Sequence, residues 1–161
     1  MSSLENNAIY LTLNVRGIPG SYHWGIFVPL AAPMGKFYHA TNRVGGWTME
    51  VKNTTKILTS TSLAVMCKVA QVPSSQLARI DEILYSLPAD GRQSARTGED
   101  FNCRTWVKDA IVALHDGSVI ALEKTIDTIE HEAVQKALLV EPRIEHGTSA
   151  PIIIDSSSSS K

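Results

Sequence analysis

Pro73 divides this chain into two halves whose apolar residues repeat with different periods. Before it, short runs alternate or are rich in β-branched and aromatic residues, the pattern of half-buried strands. After it, apolar residues recur every three to four positions, the pattern of helices with one apolar stripe. Strands followed by helices, rather than the two interleaved, predict an α+β fold. An antiparallel β-sheet from the N-terminal half should pack against helices from the C-terminal half.

Strands are expected over 8–15 (AIYLTLNV), over 22–30 (YHWGIFVPL, closed by Pro29), and over 35–42 and 47–52, joined across Gly45–Gly46. A fifth lies within 57–72, where LAVMCKVAQV places Cys67 in the core. Leu77, Ile80, Leu84 and Leu87 then mark a helix between Pro73 and Pro88. After a polar loop over 89–100, a second helix starts at Asn102. It carries Cys103, Val107, Ala110, Ile111 and Leu114 on one face and stops at Asp116–Gly117. A third covers 122–139 with Leu122, Ile126, Ile129, Ala133 and Ala137 in a stripe. Residues 1–150 form a single domain on this reading, and 151–161, ending SSSSSK, form a low-complexity tail without structure.

The charge pattern excludes several function classes. Net charge is -1, with no run of Lys and Arg, so neither nucleic acid nor an anionic membrane is an expected partner. No apolar run reaches the roughly 20 residues that span a bilayer, and MSSLENNAIYL lacks the basic and apolar regions of a secretory signal. Cys67 and Cys103 are too few for a disulfide framework or a four-cysteine zinc site. Two reduced thiols in a cytoplasmic protein without metal or cofactor are the expectation, and nothing indicates the oligomeric state.

The chemistry concentrates in FNCRTWV, residues 101–107, where Cys103 follows the N-cap type Asn102. A helix N-terminus carries roughly half a positive charge and favours a thiolate, and its unpaired N–H groups can stabilise an oxyanion. Cys103 is also small enough to be simple packing, so the histidines decide between the two readings. His23 in YHWGIFV and His39 in FYHAT fall on consecutive expected strands, where one face could hold both imidazoles in series. One would take the thiol proton and the other would orient it. A metal site of His23, His39 and Cys103 is an alternative that no acidic ligand supports. His115, His131 and His146 fall at a helix end, between glutamates and near the terminus, where charge alone accounts for them.

His23, Trp24 and Val28 on one strand, His39 on the next, then Asn102, Cys103, Trp106 and Val107 opening a helix form an ordered set. It resembles the permuted papain-like cysteine enzymes of the lecithin–retinol acyltransferase-like and NlpC-like superfamily, in which the histidine precedes the cysteine. The resemblance implies a permuted papain-like fold, Cys103 as nucleophile, His23 as base and His39 as orienting residue. Tyr22, Asn102 and Arg104 are then candidates for substrate or oxyanion contacts. Arg104 and Thr105 replace the Glu-His that follows the cysteine in the acyltransferase branch, and no C-terminal membrane helix follows. A soluble small-molecule, acyl or peptidyl substrate is therefore expected. Hydrolase, amidase, cyclase, acyltransferase and ubiquitin-like isopeptidase activities remain open on this basis, as does a non-catalytic binding module.

Overall fold

A computed structural model describes residues 4–42, 45–145, 147 and 151–157. The fold is α+β, with a six-stranded sheet in the order β4-β3-β2-β1-β5-β6. The strands are β1 (Ala8–Val15), β2 (Tyr22–Ala31), β3 (Met34–Thr41), β4 (Thr48–Thr54), β5 (Leu63–Gln71) and β6 (Ile152–Asp155). The helices are α1 (Leu77–Ser86), α2 (Cys103–Asp116) and α3 (Ile126–Glu145).

Alternation along the strands sorts side chains onto two faces. Ile9, Leu11 and Leu13 of β1, with Trp24 and Ile26 of β2, join the main core beneath the helices. Ala8, Tyr10 and Phe27 point the other way into a smaller cluster with Leu4, Ile57 and Met66. On α2, Val107, Ala110, Ile111 and Leu114 are fully buried, as the period of the sequence predicts. Burying each of the larger aliphatic side chains contributes roughly 1.5–3 kcal/mol.

Four expectations need correction. The sheet is mixed: β1 to β5 pair antiparallel, but β6 lies parallel to β5, with Val65 opposite Ile152. The β-branched run Ile152–Ile154 of the supposed tail satisfies an otherwise open sheet edge. Ser156 secures it, donating its N–H to the Lys68 carbonyl at 2.8 Å and its buried hydroxyl to Glu132. Residues 158–161 lie outside the described residues. Pro29 does not close β2, which runs on to Ala31; its carbonyl still accepts from the Asn7 N–H at 2.8 Å. The third helix starts at Ile126 because the Thr125 hydroxyl caps the Thr128 N–H. It continues through Pro142 to bury Val140 and Ile144, one side of the helix gaining core contact where the proline removes a backbone bond.

Helices α2 and α3 are joined by charge. Glu130 accepts from Lys108 at 2.6 Å and also from Arg104, and the Lys108 side chain is only 5% exposed. Burial alone would raise the Glu130 carboxyl, but the bonds from Arg104 and Lys108 outweigh it and hold the group below the usual carboxylate range. A depressed carboxyl contributes stability that is present above its unfolded value, about 4.3, and is lost as pH falls through the folded value. Glu130→Gln is therefore expected to destabilise the fold by about 2–3 kcal/mol at neutral pH. In denaturant titrations the gap from wild type should close towards acid; a gap independent of pH would remove the charge from the explanation.

Candidate active site

Asn102 adopts extended backbone, and its side chain accepts from the Thr105 N–H at 2.9 Å, so it caps α2 as its residue type predicts. The Trp106 N–H is taken by the Asn102 carbonyl. Among the described residues no acceptor meets the N–H groups of Cys103 and Arg104 at this helix end.

The thiol sits where the sheet opens. The register of β2 against β3 runs from Ala31 opposite Met34 to Ile26 opposite Tyr38, and there it stops. Beyond that pair, Tyr22 to Gly25 stay paired with β1 while His39 to Thr41 stay paired with β4, so the two strands part. Cys103 fills the fork. Its Sγ accepts from the Trp24 N–H at 3.5 Å and lies 3.8 Å from the Tyr22 carbonyl. Cys103 is 4% exposed, at the floor of a cleft of about 370 Å³ that His23, His39, Thr41, Trp47 and Arg16 also line.

Across the fork the two imidazoles meet, with His23 Nε2 2.8 Å from His39 Nδ1 and the rings edge to face. His39 Nε2 in turn lies 3.2 Å from Glu50 Oε1, its cross-strand partner on β4. A carboxylate only accepts, so with both imidazoles neutral His39 carries its proton on Nε2 and accepts through Nδ1. His23 then donates through Nε2, which leaves Nδ1 as its basic nitrogen. Glu50 thus sets both tautomers. The Phe37 ring packs on His39, with centroids 4.9 Å apart, and Gly25 makes room for it: a Cβ there would come within 2.5 Å of the ring.

The structure brings Cys103, His23 and His39 together and redirects two other candidates. The Tyr22 hydroxyl is buried and donates to Glu141 Oε1 at 2.6 Å, which also accepts from the Gly20 N–H. It ties the β1–β2 turn to α3 and does not reach the cleft. The Arg104 guanidinium pairs with Glu130 and with Glu99, leaving only its backbone N–H at the helix end. Cys67 lies fully buried in the core and donates to Ser156 Oγ at 3.4 Å. Both cysteines are free thiols. His115 accepts from the Leu122 N–H through Nδ1, His131 is exposed on α3, and His146 lies outside the described residues.

The glycine pair does not reveal Glu50, because a turn centred there lies one residue beyond the actual one. A hairpin centred on Gly45–Gly46 sets Lys52 opposite His39, whereas the actual register sets Glu50 there. Arg16 and Trp47 come from turns, and no periodic pattern marks their approach to the cleft. Among the described residues no group of three His, Cys, Asp or Glu side chains is arranged to hold a metal ion, and no helix is long and apolar enough to cross a membrane.

These pieces define an α+β domain with a helix-capped thiol and a histidine pair in one cleft. The chain belongs to DUF6540, a family of unknown function, which it matches over residues 9–121, a span holding Cys103, both histidines and Glu50. No curated protein and no solved structure matches it.

Proposed function

We propose that the protein is a cysteine-dependent acyl-transfer enzyme working through an acyl-cysteine intermediate, with Cys103, His23 and His39 as its catalytic groups. The observation that carries the reading is the 2.8 Å histidine pair beside the thiol at the capped start of α2. A purely structural sheet has no need of two imidazoles in series ending on a carboxylate.

In this mechanism His23 Nδ1 takes the Cys103 proton as the sulfur bonds to a substrate carbonyl carbon. The oxyanion that forms is met by the Cys103 and Arg104 N–H groups. His23 returns the proton to the leaving group as the carbon–heteroatom bond breaks. The thioester is then released by water or a second nucleophile. The order of histidine, histidine and cysteine, the N-capped cysteine and the sheet-then-helix arrangement all support kinship with the permuted papain-like enzymes. The substrate on this reading is soluble and the protein cytoplasmic.

Intact-mass screening against acyl thioesters, esters and amides tests the proposal. A mass increase equal to the acyl group is expected on wild type and absent from Cys103→Ala. The competing reading is a binding module in which Cys103 only packs, and its contact with the Tyr22 carbonyl favours that reading. It predicts no adduct with any acyl donor.

A further inference from the structure

A second cavity of about 320 Å³ lies between the 88–101 loop and α2. Its apolar wall is Leu87, Pro88, Phe101, Trp106, Val112 and Ala113. At its charged rim Arg96 pairs with Asp109 at 2.8 Å and Arg92 with Asp90 at 2.8 Å, while Asp116 adds a further carboxylate. Trp106 lines this half-open pocket from α2. It is 1% exposed, and among the described residues its indole N–H has no partner, whereas a buried indole N–H ordinarily finds an acceptor.

The cavity adjoins the catalytic cleft. Trp47 lines the cleft, Phe101 lines the cavity, and their rings meet edge to face with centroids 5.0 Å apart. Trp47 is backed by Gly91, where a Cβ would sit 3.3 Å from its Cδ1. Cys103 and Trp106 are one turn apart on α2. The two spaces therefore share an aromatic partition, with the thiol on one side and Trp106 on the other.

We infer that this cavity is the specificity subsite of the reaction proposed above, receiving a compact apolar arm of the substrate whose carbonyl lies at Cys103. The inference rests on that catalytic reading for the identity of its ligand. At about 30 Å³ per non-hydrogen atom, 320 Å³ holds an arm on the order of ten such atoms. An aryl-alkyl or short branched acyl group fits and a long lipid chain does not. Both rim arginines are already paired and Asp116 adds a carboxylate, so an anionic arm is disfavoured.

The test compares p-nitrophenyl acetate, 4-phenylbutyrate and palmitate on wild type and Ala113→Phe, a residue outside the catalytic groups whose larger side chain fills the cavity. Wild type should prefer phenylbutyrate over acetate by about tenfold or more in kcat/KM. Palmitate should gain nothing further. Ala113→Phe should keep acetate turnover and lose the preference, with Val112→Trp as the second cavity-filling variant should Ala113→Phe melt early. Equal use of the three esters by wild type, or a preference surviving in the filled variants, overturns the inference. If no ester is turned over, the cavity is judged by binding alone, and the catalytic reading by the adduct screen above. Adding 4-phenylbutyramide to Cys103→Ala should shift the indole N–H resonance that Trp106→Phe deletes. An unmoved resonance overturns the subsite as well.

Discussion

Cys103→Ala is expected to abolish acyl transfer, and His23→Ala to lower kcat/KM by roughly 10³-fold or more, because nucleophile and base act as one unit. The thiol needs its proton removed, and His23 offers Nδ1 for the task only while His39 holds its Nε2–H at 2.8 Å. Alkylation gives a readout that needs no substrate. At about pH 6 iodoacetamide should modify Cys103 well before Cys67, since thiolate and not thiol is the nucleophile. Burial pushes the Cys67 thiol up to about 11 and leaves it no exposed surface, so it serves as an internal control. Equal rates at the two cysteines, or a Cys103 rate untouched by His23→Ala, would sink the catalytic reading.

Glu50→Gln should lower kcat/KM by about 10–100-fold with little change in melting temperature. Glu50 is half-buried and touches the reaction through His39, 3.2 Å away. Its carboxylate cannot donate, which keeps the His39 proton on Nε2. The glutamine amide can donate, and it permits the opposite tautomers, with His39 Nδ1–H pointing at His23 and a proton on His23 Nδ1. That nitrogen is then unable to take a proton from sulfur. Imidazole ¹⁵N chemical shifts should report the change of tautomer, and Glu50→Asp, which keeps the acceptor on a shorter arm, should recover part of the rate. A normal rate together with unaltered tautomers in Glu50→Gln would show that Glu50 is only a sheet residue.

Much of the framework was legible because it depends on local rules. β1 and α2 match their expected spans since alternation in one and a 3.6-residue stripe in the other meet clear stop signals, the 16–20 turn and Gly117. The Asn102 cap was legible because an N-cap is chosen within one turn of chain. Features decided at longer range were not. β6 exists because β5 offered an edge, and no property of 151–161 alone reveals that edge. Tyr22 and Arg104 seemed suited to the cleft by sequence proximity, yet α3 supplies Glu141 and Glu130 more than twenty residues away and takes both side chains.

The sequence by itself determined that strands precede helices, that Cys103 opens a capped helix, and that two histidines lie on neighbouring strands. Periodicity, turn chemistry and capping act over a few residues, so they are written locally. Only the tertiary structure decided that β2 and β3 part beyond Ile26 and Tyr38, so that α2 delivers its first side chain into the fork against Trp24. Only the β3–β4 register placed Glu50, rather than Lys52, opposite His39. A register shift of two residues keeps each strand's faces and its local pattern intact while exchanging a carboxylate for an ammonium. That is why the sequence pointed to the imidazoles but not to the group that sets their protons.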